Sequence, residues 1–146
     1  MDPTTAERPS IALLLRVIYQ HHSHSIESAL RAAGFNDIAP SAGNVFPFIR
    51  REGITISALA ELAKVRKQTM AQTVEQLERD GYIERRENPN DRRSRLVFLT
   101  ERGRTVTPVT HDAAAAVEQH WARMIGIDEL EHLRHQLKIL LEKIRA

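Results

Sequence analysis

Apolar residues recur at helical spacing near the start of the chain and predict a long helix over residues 9–33. Pro9 and Ser10 suit the start of this helix, and Gly34 suits its end. One face of the helix is apolar and also holds His22; its apolar members are Ile11, Leu14, Leu15, Ile18, Ile26, Ala29 and Ala33.

The apolar surface of this helix is wider than one neighbour can cover. Leu13 and Val17 lie off the main face, so the helix needs a second packing partner, which another copy of the chain can supply. Near the end of the chain Asp128 suits a helix start, and apolar residues follow at spacings of three and four: Leu130, Leu133, Leu137, Leu140 and Ile144. Because these positions span too few heptads for an independent coiled coil, we expect them to be buried in a dimer interface.

The elements between these helices are shorter. A connector over residues 34–40 leads into a short helix predicted from Pro40 to about Arg50, in which Pro47 predicts a kink or an early end. One or two extended residues are expected at Thr55 and Ile56.

Two further helices are predicted in close succession. Ser57 is a good N-cap for a compact helix over residues 57–64, and a second helix is expected over about 67–80. Gly81 stops the second helix, whose narrow apolar face is formed by Met70, Val74 and Leu77.

A hairpin follows, with strands predicted over residues 82–87 and 95–99 and a turn-rich connection between them. Thr100 then caps another helix. The order of helix, tight turn, helix and two-stranded hairpin is that of a winged helix-turn-helix. The predicted fold class is therefore mainly α with a small β-hairpin: a winged helix-turn-helix domain plus N- and C-terminal dimerisation helices.

The composition is that of one ordinary globular domain. The chain has 146 residues, 42% of them hydrophobic and 27% charged, and no segment approaches the roughly 20 apolar residues of a membrane span. The first residues lack the basic-then-apolar order of a secretory signal, and the absence of cysteine excludes disulfides and thiol chemistry. We expect a single cytoplasmic domain without a membrane partner or a cofactor.

Positive charge is concentrated in the middle of the chain. Residues 50–104 hold 13 Lys and Arg against 9 Asp and Glu, whereas the remaining residues hold 8 against 10. A basic segment between slightly acidic ends indicates a localised anionic partner.

The polar face of the second short helix suits double-stranded DNA. The major groove admits one α-helix, in which glutamine can pair with adenine and arginine or lysine with guanine. The candidate DNA contacts at the start of this helix are Arg66, Lys67, Gln68, Thr69 and Gln72. Glutamine is also a good helix former, so a plain solvent-facing surface remains an alternative for Gln68 and Gln72.

Two adjacent arginines, Arg92 and Arg93, stand at the predicted tip of the hairpin, where charge cannot contribute to a core. A narrow minor groove concentrates negative potential and attracts such side chains. Arg85, Arg86 and Arg95 on the predicted strands are candidates for neighbouring phosphates. Without the helix-turn-helix beside them, a solvated loop would be the simpler interpretation.

Residues 59–103 resemble the DNA-binding core of the MarR family of bacterial transcription regulators. The resemblance lies in a Leu-Ala helix followed by four linked motifs: Leu77-Glu78 with Gly81, Arg85-Arg86, Asp91 with Arg93, and Leu99-Thr100 with Gly103. It implies one domain over residues 1–146, with dimerisation helices at about 9–33 and 104–144 and the winged helix-turn-helix at about 40–103.

The resemblance also implies a homodimer whose two recognition helices enter successive major grooves, about 34 Å apart, on a pseudo-palindromic operator. By the same resemblance, Arg93 would enter the minor groove, Asp91 would orient the hairpin and Arg92 would serve phosphates. Family members are most often repressors, and they commonly bind small, often aromatic, anions that release the DNA.

An effector of that kind would need a cavity between the dimerisation helices and the DNA-binding lobe. Candidate lining residues are Tyr19, His22, Phe46, Phe48 and Trp121. Aromatic residues at helical spacing are more commonly part of a core, and His22 is favoured as a hydrogen-bonded core or interface residue. Both interpretations stay open at the level of sequence.

Two other functions compete with DNA binding. A histidine-metal regulator or hydrolase would need three or four converging ligands, whereas the pairs His21/His24 and His132/His135 supply two each. A winged-helix module that binds protein would expose apolar residues on its wing in place of Arg92 and Arg93. The sequence therefore favours a DNA-binding regulator that is not an enzyme and holds no metal.

Overall fold

A computed structural model describes residues 8–146 and shows a mainly helical fold with one small antiparallel sheet. The elements in chain order are α1 (Ile11–Ala32), two 3₁₀ turns (Pro40–Asn44 and Phe46–Phe48), β1 (Ile54–Thr55), α2 (Ile56–Ala63), α3 (Lys67–Arg79), β2 (Ile83–Glu87), β3 (Arg95–Leu99), α4 (Glu101–Ile125) and α5 (Ile127–Arg145). The predicted fold class is confirmed with one addition. The hairpin gains a third strand, because β1 pairs with β3 and the strand order is β1-β3-β2.

The predicted caps of α1 and α4 lie where the sequence places them. Ser10 has extended backbone, and its Oγ accepts a hydrogen bond from the amide of Leu13 at 3.1 Å, which satisfies one free N–H group of α1. Gly34 follows the end of α1 with a φ of +92°, a conformation that favours glycine. Thr100 caps α4 in the same way as Ser10, accepting the amide of Gly103 at 3.1 Å.

The prediction of one short helix from Pro40 to about Arg50 is wrong. The segment forms two separate 3₁₀ turns that meet at Val45, whose side chain is completely buried. Pro47 lies within the second turn and lacks the amide that a continuing α-helix would need. The early break predicted from this proline is confirmed.

Two predicted helix caps are each wrong by two residues. Thr55, not Ser57, caps α2, and its Oγ accepts the amide of the residue three positions on at 3.2 Å. Thr55 has the extended backbone that a cap requires because it is also the last residue of β1, which ends one residue earlier than predicted. Near the end of the chain α5 begins directly after Gly126, and Asp128 lies within its first turn, where its charge favours the helix dipole.

The core of the lobe lies between α3 and the sheet. The apolar face predicted for α3 is buried: Met70, Val74 and Leu77. Side chains alternate across β2 and β3, so that Ile83 and Val97 are buried in the core. Tyr82, which precedes β2, is also completely buried, and the rings of Phe35 and Phe46 lie 6.3 and 6.2 Å from its ring.

The first half of α1 is largely uncovered by the rest of residues 8–146. Its apolar side chains are 41% to 67% exposed: Ile11, Leu13, Leu14, Leu15, Val17 and Ile18. Leu130 of α5 is buried, but the apolar residues that follow it in the same helix are exposed: Leu133, Leu137, Leu140, Leu141 and Ile144. Contiguous apolar surface of this kind marks an association site. Over residues 8–146, no helix is both long and apolar enough to cross a membrane.

Candidate nucleic-acid interface

The five residues predicted as contacts on the second short helix lie together at the start of α3. Arg66 is the N-cap and Lys67 is the first helical residue. All five are exposed: Arg66, Lys67, Gln68, Thr69 and Gln72. Within residues 8–146 their side chains form no hydrogen bond or ion pair with the protein, so their polar groups are available to a ligand.

A tight turn places α3 against α2. Lys64 has a φ of +57° and a ψ of +39°, the left-handed conformation that residues other than glycine rarely adopt. The amides of Lys64 and Val65 donate back to the carbonyls of Glu61 and Ala60 at 3.3 and 3.1 Å. The chain therefore reverses within this turn, and α3 begins at once.

An ion pair ties α3 to the wing, defined here as β2, β3 and the connecting residues 88–94. Arg85 Nη2 lies 2.8 Å from Glu78 Oε1, and the backbone amide of Arg85 donates to Glu78 Oε2 at 3.0 Å. The hydrogen bonds from Arg85 hold the pKa of Glu78 below its ordinary value of 4.5, and those to Glu78 raise the pKa of Arg85. Arg85 thus fixes the orientation of α3.

Side-chain hydrogen bonds order the tip of the wing. Asp91 Oδ1 accepts the backbone amide of Arg93 at 2.9 Å, and Asn88 Oδ1 accepts that of Asn90 at 3.1 Å. Each is the Asx-turn geometry that replaces a backbone turn. Asn88 Nδ2 also donates to Ser94 Oγ at 3.0 Å. Arg92 and Arg93 are exposed on this ordered tip, and neither guanidinium has a protein partner among residues 8–146.

The strand arginines differ in what they contact. Arg86 forms an ion pair with Glu84, and its guanidinium lies over the ring of Phe98 at 4.4 Å from the centroid. These three side chains share one face of the sheet, and Arg85 is on the other face with the core. Arg95 Nη2 donates to the backbone carbonyl of Arg85 at 2.8 Å and stays exposed.

A basic groove of about 190 Å³ lies where the wing meets the helix-turn-helix. Its lining includes four cationic side chains: Lys67, Arg85, Arg93 and Arg95. The other lining residues are Ser94 and the start of α2, namely Thr55, Ile56 and Ser57. The N-terminus of a helix adds partial positive charge and free N–H groups, so the groove suits an anion. Sequence analysis missed the α2 residues as part of the site, because only the folded wing brings Arg93 beside them.

The five candidate effector residues form two groups. The Tyr19 and His22 rings stack at 6.5 Å, and the His22 and Trp121 rings lie 6.2 Å apart, which joins α1 to α4. Phe46 and Phe48 instead pack against the core of the lobe. A second cavity, of about 140 Å³, is lined by residues 27, 30, 31, 35, 36, 38 and 40, and thus by none of the five.

The histidines do not converge. In the described part of the chain, no group of three or more His, Asp or Glu side chains has a geometry that could hold a metal ion.

Three comparisons relate the chain to known proteins. The model of the MarR family matches residues 37–94. The transcriptional activatory protein BadR of Rhodopseudomonas palustris is 29% identical over 96 residues, which cover 64% of this chain and 54% of BadR. The chain thus spans about half the length of this curated relative.

Solved structures match over almost the whole chain. Wild-type apo MarR from E. coli is 26% identical, with a TM-score of 0.75 over 92% of this chain and 99% of that one. MepR from S. aureus, solved as a complex with DNA, is 19% identical, with a TM-score of 0.74 over 93% of this chain and 99% of that one. Because MepR is only 19% identical, this match shows a shared fold.

Proposed function

We propose that this chain is a member of the MarR family, whose model matches residues 37–94, and that it is a sequence-specific regulator of transcription that binds double-stranded DNA as a homodimer. The observation that carries the proposal is the basic groove, in which Lys67 of α3 and Arg93 of the wing line the same space. Helix and wing therefore present their free polar groups to one ligand, as a duplex with adjacent major and minor grooves requires.

Each part of the interface has its own task in this proposal. Gln68 and Gln72 contact base edges in the major groove, and Arg66 and Thr69 contact bases or phosphates beside them. Arg93 enters the minor groove from the tip that Asp91 orders, and Arg92 contacts phosphates.

The groove itself receives one backbone phosphate, held by Lys67, Arg95 and the amides that begin α2. Arg86 has a smaller role, because Glu84 and Phe98 already hold its guanidinium.

The proposed dimer buries the exposed apolar surface of α1 and α5. A two-fold axis would set two recognition helices about one DNA turn apart on a pseudo-palindromic operator. We propose that the protein acts in the cytoplasm as a repressor and has no enzymatic activity.

We propose further that a small aromatic or anionic effector binds near Tyr19, His22 and Trp121 and releases the DNA. Release requires that this ligand bind the form that cannot bind DNA more tightly than the form that can.

The test is a mobility-shift titration with duplex DNA from upstream of the protein's own coding sequence, at two salt concentrations. Binding should weaken with salt, because phosphate contacts release counterions. Arg93→Ala should weaken binding by about 5- to 150-fold while the dimer persists, as expected for a loss of about 1–3 kcal/mol.

The matched control is Arg79→Ala. Arg79 is an exposed arginine near the far end of α3 that already pairs with Glu75, so its removal should leave affinity unchanged. A monomeric parent protein, or one that ignores duplex DNA in dilute buffer, would refute the proposal. A reporter gene placed behind the operator then decides between repression and activation.

A further inference from the structure

The chain crosses between the dimerisation helices and the winged lobe at two places. The first crossing is the segment 33–39 after α1, and the second is the segment 99–102 where β3 leads into α4. Any change in the angle between lobe and helices must bend these two segments. Contacts between the crossings therefore decide how firmly the lobe is held.

A cluster of three side chains joins the two crossings. Arg102 Nη2, at the start of α4, donates to Asp37 Oδ2 of the first crossing at 3.1 Å. The hydroxyl of Tyr82 donates to Asp37 Oδ1 in a short hydrogen bond. Among the ion pairs of residues 8–146, the Asp37–Arg102 pair is the one that connects the crossings.

The same cluster reaches the end of the recognition helix. Arg102 Nη1 donates to the carbonyl of Asp80, the residue that caps α3, and its guanidinium lies 4.2 Å from the centroid of the Tyr82 ring. Thr100 adds two bonds in the same region, from its amide to the carbonyl of Tyr82 at 3.1 Å and from its hydroxyl to the carbonyl of Gly81 at 2.6 Å. The end of α3 is thus attached to the start of α4.

The protonation states of the cluster suit a permanent link at neutral pH. Burial and the hydrogen bond to Asp37 raise the pKa of Tyr82 to about 12, so its hydroxyl remains a donor. The hydrogen bond from Tyr82 and the charge of Arg102 hold the pKa of Asp37 below its ordinary value of 3.8, so its carboxylate remains an acceptor.

We propose that Asp37, Tyr82 and Arg102 are positioning residues that set the angle of the winged lobe on α1 and α4. This inference rests on the proposed function, because in a homodimer that angle determines the separation of the two recognition helices. The cluster contributes nothing to the surface that contacts DNA. The cluster therefore affects affinity only for operators that both lobes of the dimer contact at the same time.

The experiment compares binding to a full operator with binding to a half-site duplex for Tyr82→Phe and Asp37→Asn. Both variants should fold, because phenylalanine keeps the buried ring and Asp37 is exposed enough for water to replace lost bonds. Full-site affinity should fall at least fivefold, the lower end of typical coupling between sites, while half-site affinity stays that of the parent. Asp112→Asn, an exposed carboxylate on α4 away from the cluster, is the matched control and should change neither affinity.

Each other outcome has a definite meaning. Equal losses on full and half sites would show damage to the recognition surface and overturn the positioning role, as would unchanged full-site affinity. A parent protein that binds neither duplex refutes the proposed function instead.

In that case a second measurement still tests the cluster. The chain has no cysteine, so Asn90→Cys gives a single spin-label site on each wing tip. The distance distribution between the two labels should be narrow in the parent and broader or shifted in Tyr82→Phe. Identical distributions, or the absence of a dimer, would overturn the inference.

Discussion

The contact between Gly103 and Tyr82 leads to a sharp prediction about stability. Gly103 is buried in the first turn of α4, and a Cβ atom built on it would lie 2.0 Å from the carbonyl oxygen of Tyr82. Real Cβ contacts below 3.0 Å essentially never occur, so Gly103→Ala must move α4 and the backbone of Tyr82 apart by about 1 Å. The two nearest atoms are the backbone oxygen and carbon of Tyr82, so no side-chain rotation can relieve that contact.

The size of the effect follows from what that movement breaks. The amide of Thr100 donates to the same carbonyl at 3.1 Å, and a further 1 Å would take it beyond hydrogen-bond range. An unsatisfied buried carbonyl costs about 1–3 kcal/mol, and alanine returns at most about 1 kcal/mol of helix propensity. We expect a net loss of about 1–2 kcal/mol, which lowers Tm by about 2–8 °C for a chain of this length.

The assay is thermal unfolding followed by circular dichroism at one fixed protein concentration, because the Tm of an oligomer depends on concentration. Gly43→Ala is the matched control. A Cβ there meets only Tyr19 Oη at an ordinary 3.7 Å, so the variant should be neutral or gain up to about 1 kcal/mol. A Gly103→Ala protein as stable as its parent would show that α4 does not pack tightly against the backbone of Tyr82.

Three further predictions concern other parts of the molecule. Glu78→Gln should cost about 1 kcal/mol at pH 7, a modest value because the pair with Arg85 is partly exposed. Since the folded pKa of Glu78 is depressed, its contribution is present above pH 4.5 and lost as pH falls through the folded value; urea titrations of parent and variant should converge in acid, and a constant gap would contradict the ion pair. Lys64→Gly should stabilise by up to about 1 kcal/mol by removing left-handed strain, and a lower Tm would refute that account. Leu14→Glu combined with Ile18→Glu should yield monomers in sedimentation velocity, whereas an intact dimer would place the interface elsewhere.

Much of the helical framework could be predicted because its signals are local. Ser10 and Thr100 are caps next to apolar runs, and the buried face of α3 follows from simple periodicity. The errors at Ser57 and Asp128 arose where another residue was better placed to begin the helix. Thr55 caps α2 because the pairing of β1 with β3 holds its backbone extended. The sequence around Thr55 does not indicate this long-range contact.

The different fates of Arg85 and Arg86 show the limit of sequence patterns at the interface. Strand alternation predicts that the two side chains point to opposite faces. Ile83, an apolar residue two positions before Arg85, even indicates which arginine faces the core. The pairing of Arg85 with Glu78 nevertheless depends on where α3 lies against the sheet, which only the tertiary structure defines.

The aromatic residues of the candidate effector site illustrate the same limit. The chain has few aromatic residues, and the sequence alone gives no reason to divide the five candidates into separate groups. In the fold, His22 and Trp121 join the two long helices, whereas Phe46 packs on Tyr82 inside the lobe. Which aromatic rings meet depends on the crossing of α1 and α4, and helical spacing alone does not specify it.

The exposed apolar surface on the first half of α1 makes the newly synthesised chain prone to aggregation. This helix is made before the lobe, and the leucine and isoleucine side chains of its first half remain 41% to 67% exposed after the rest of the chain has folded. We expect an unassembled copy to expose this surface to chaperones and to aggregation. If the proposed homodimer covers this helix, dilution uncovers it again, so the stability of the protein should depend on its concentration.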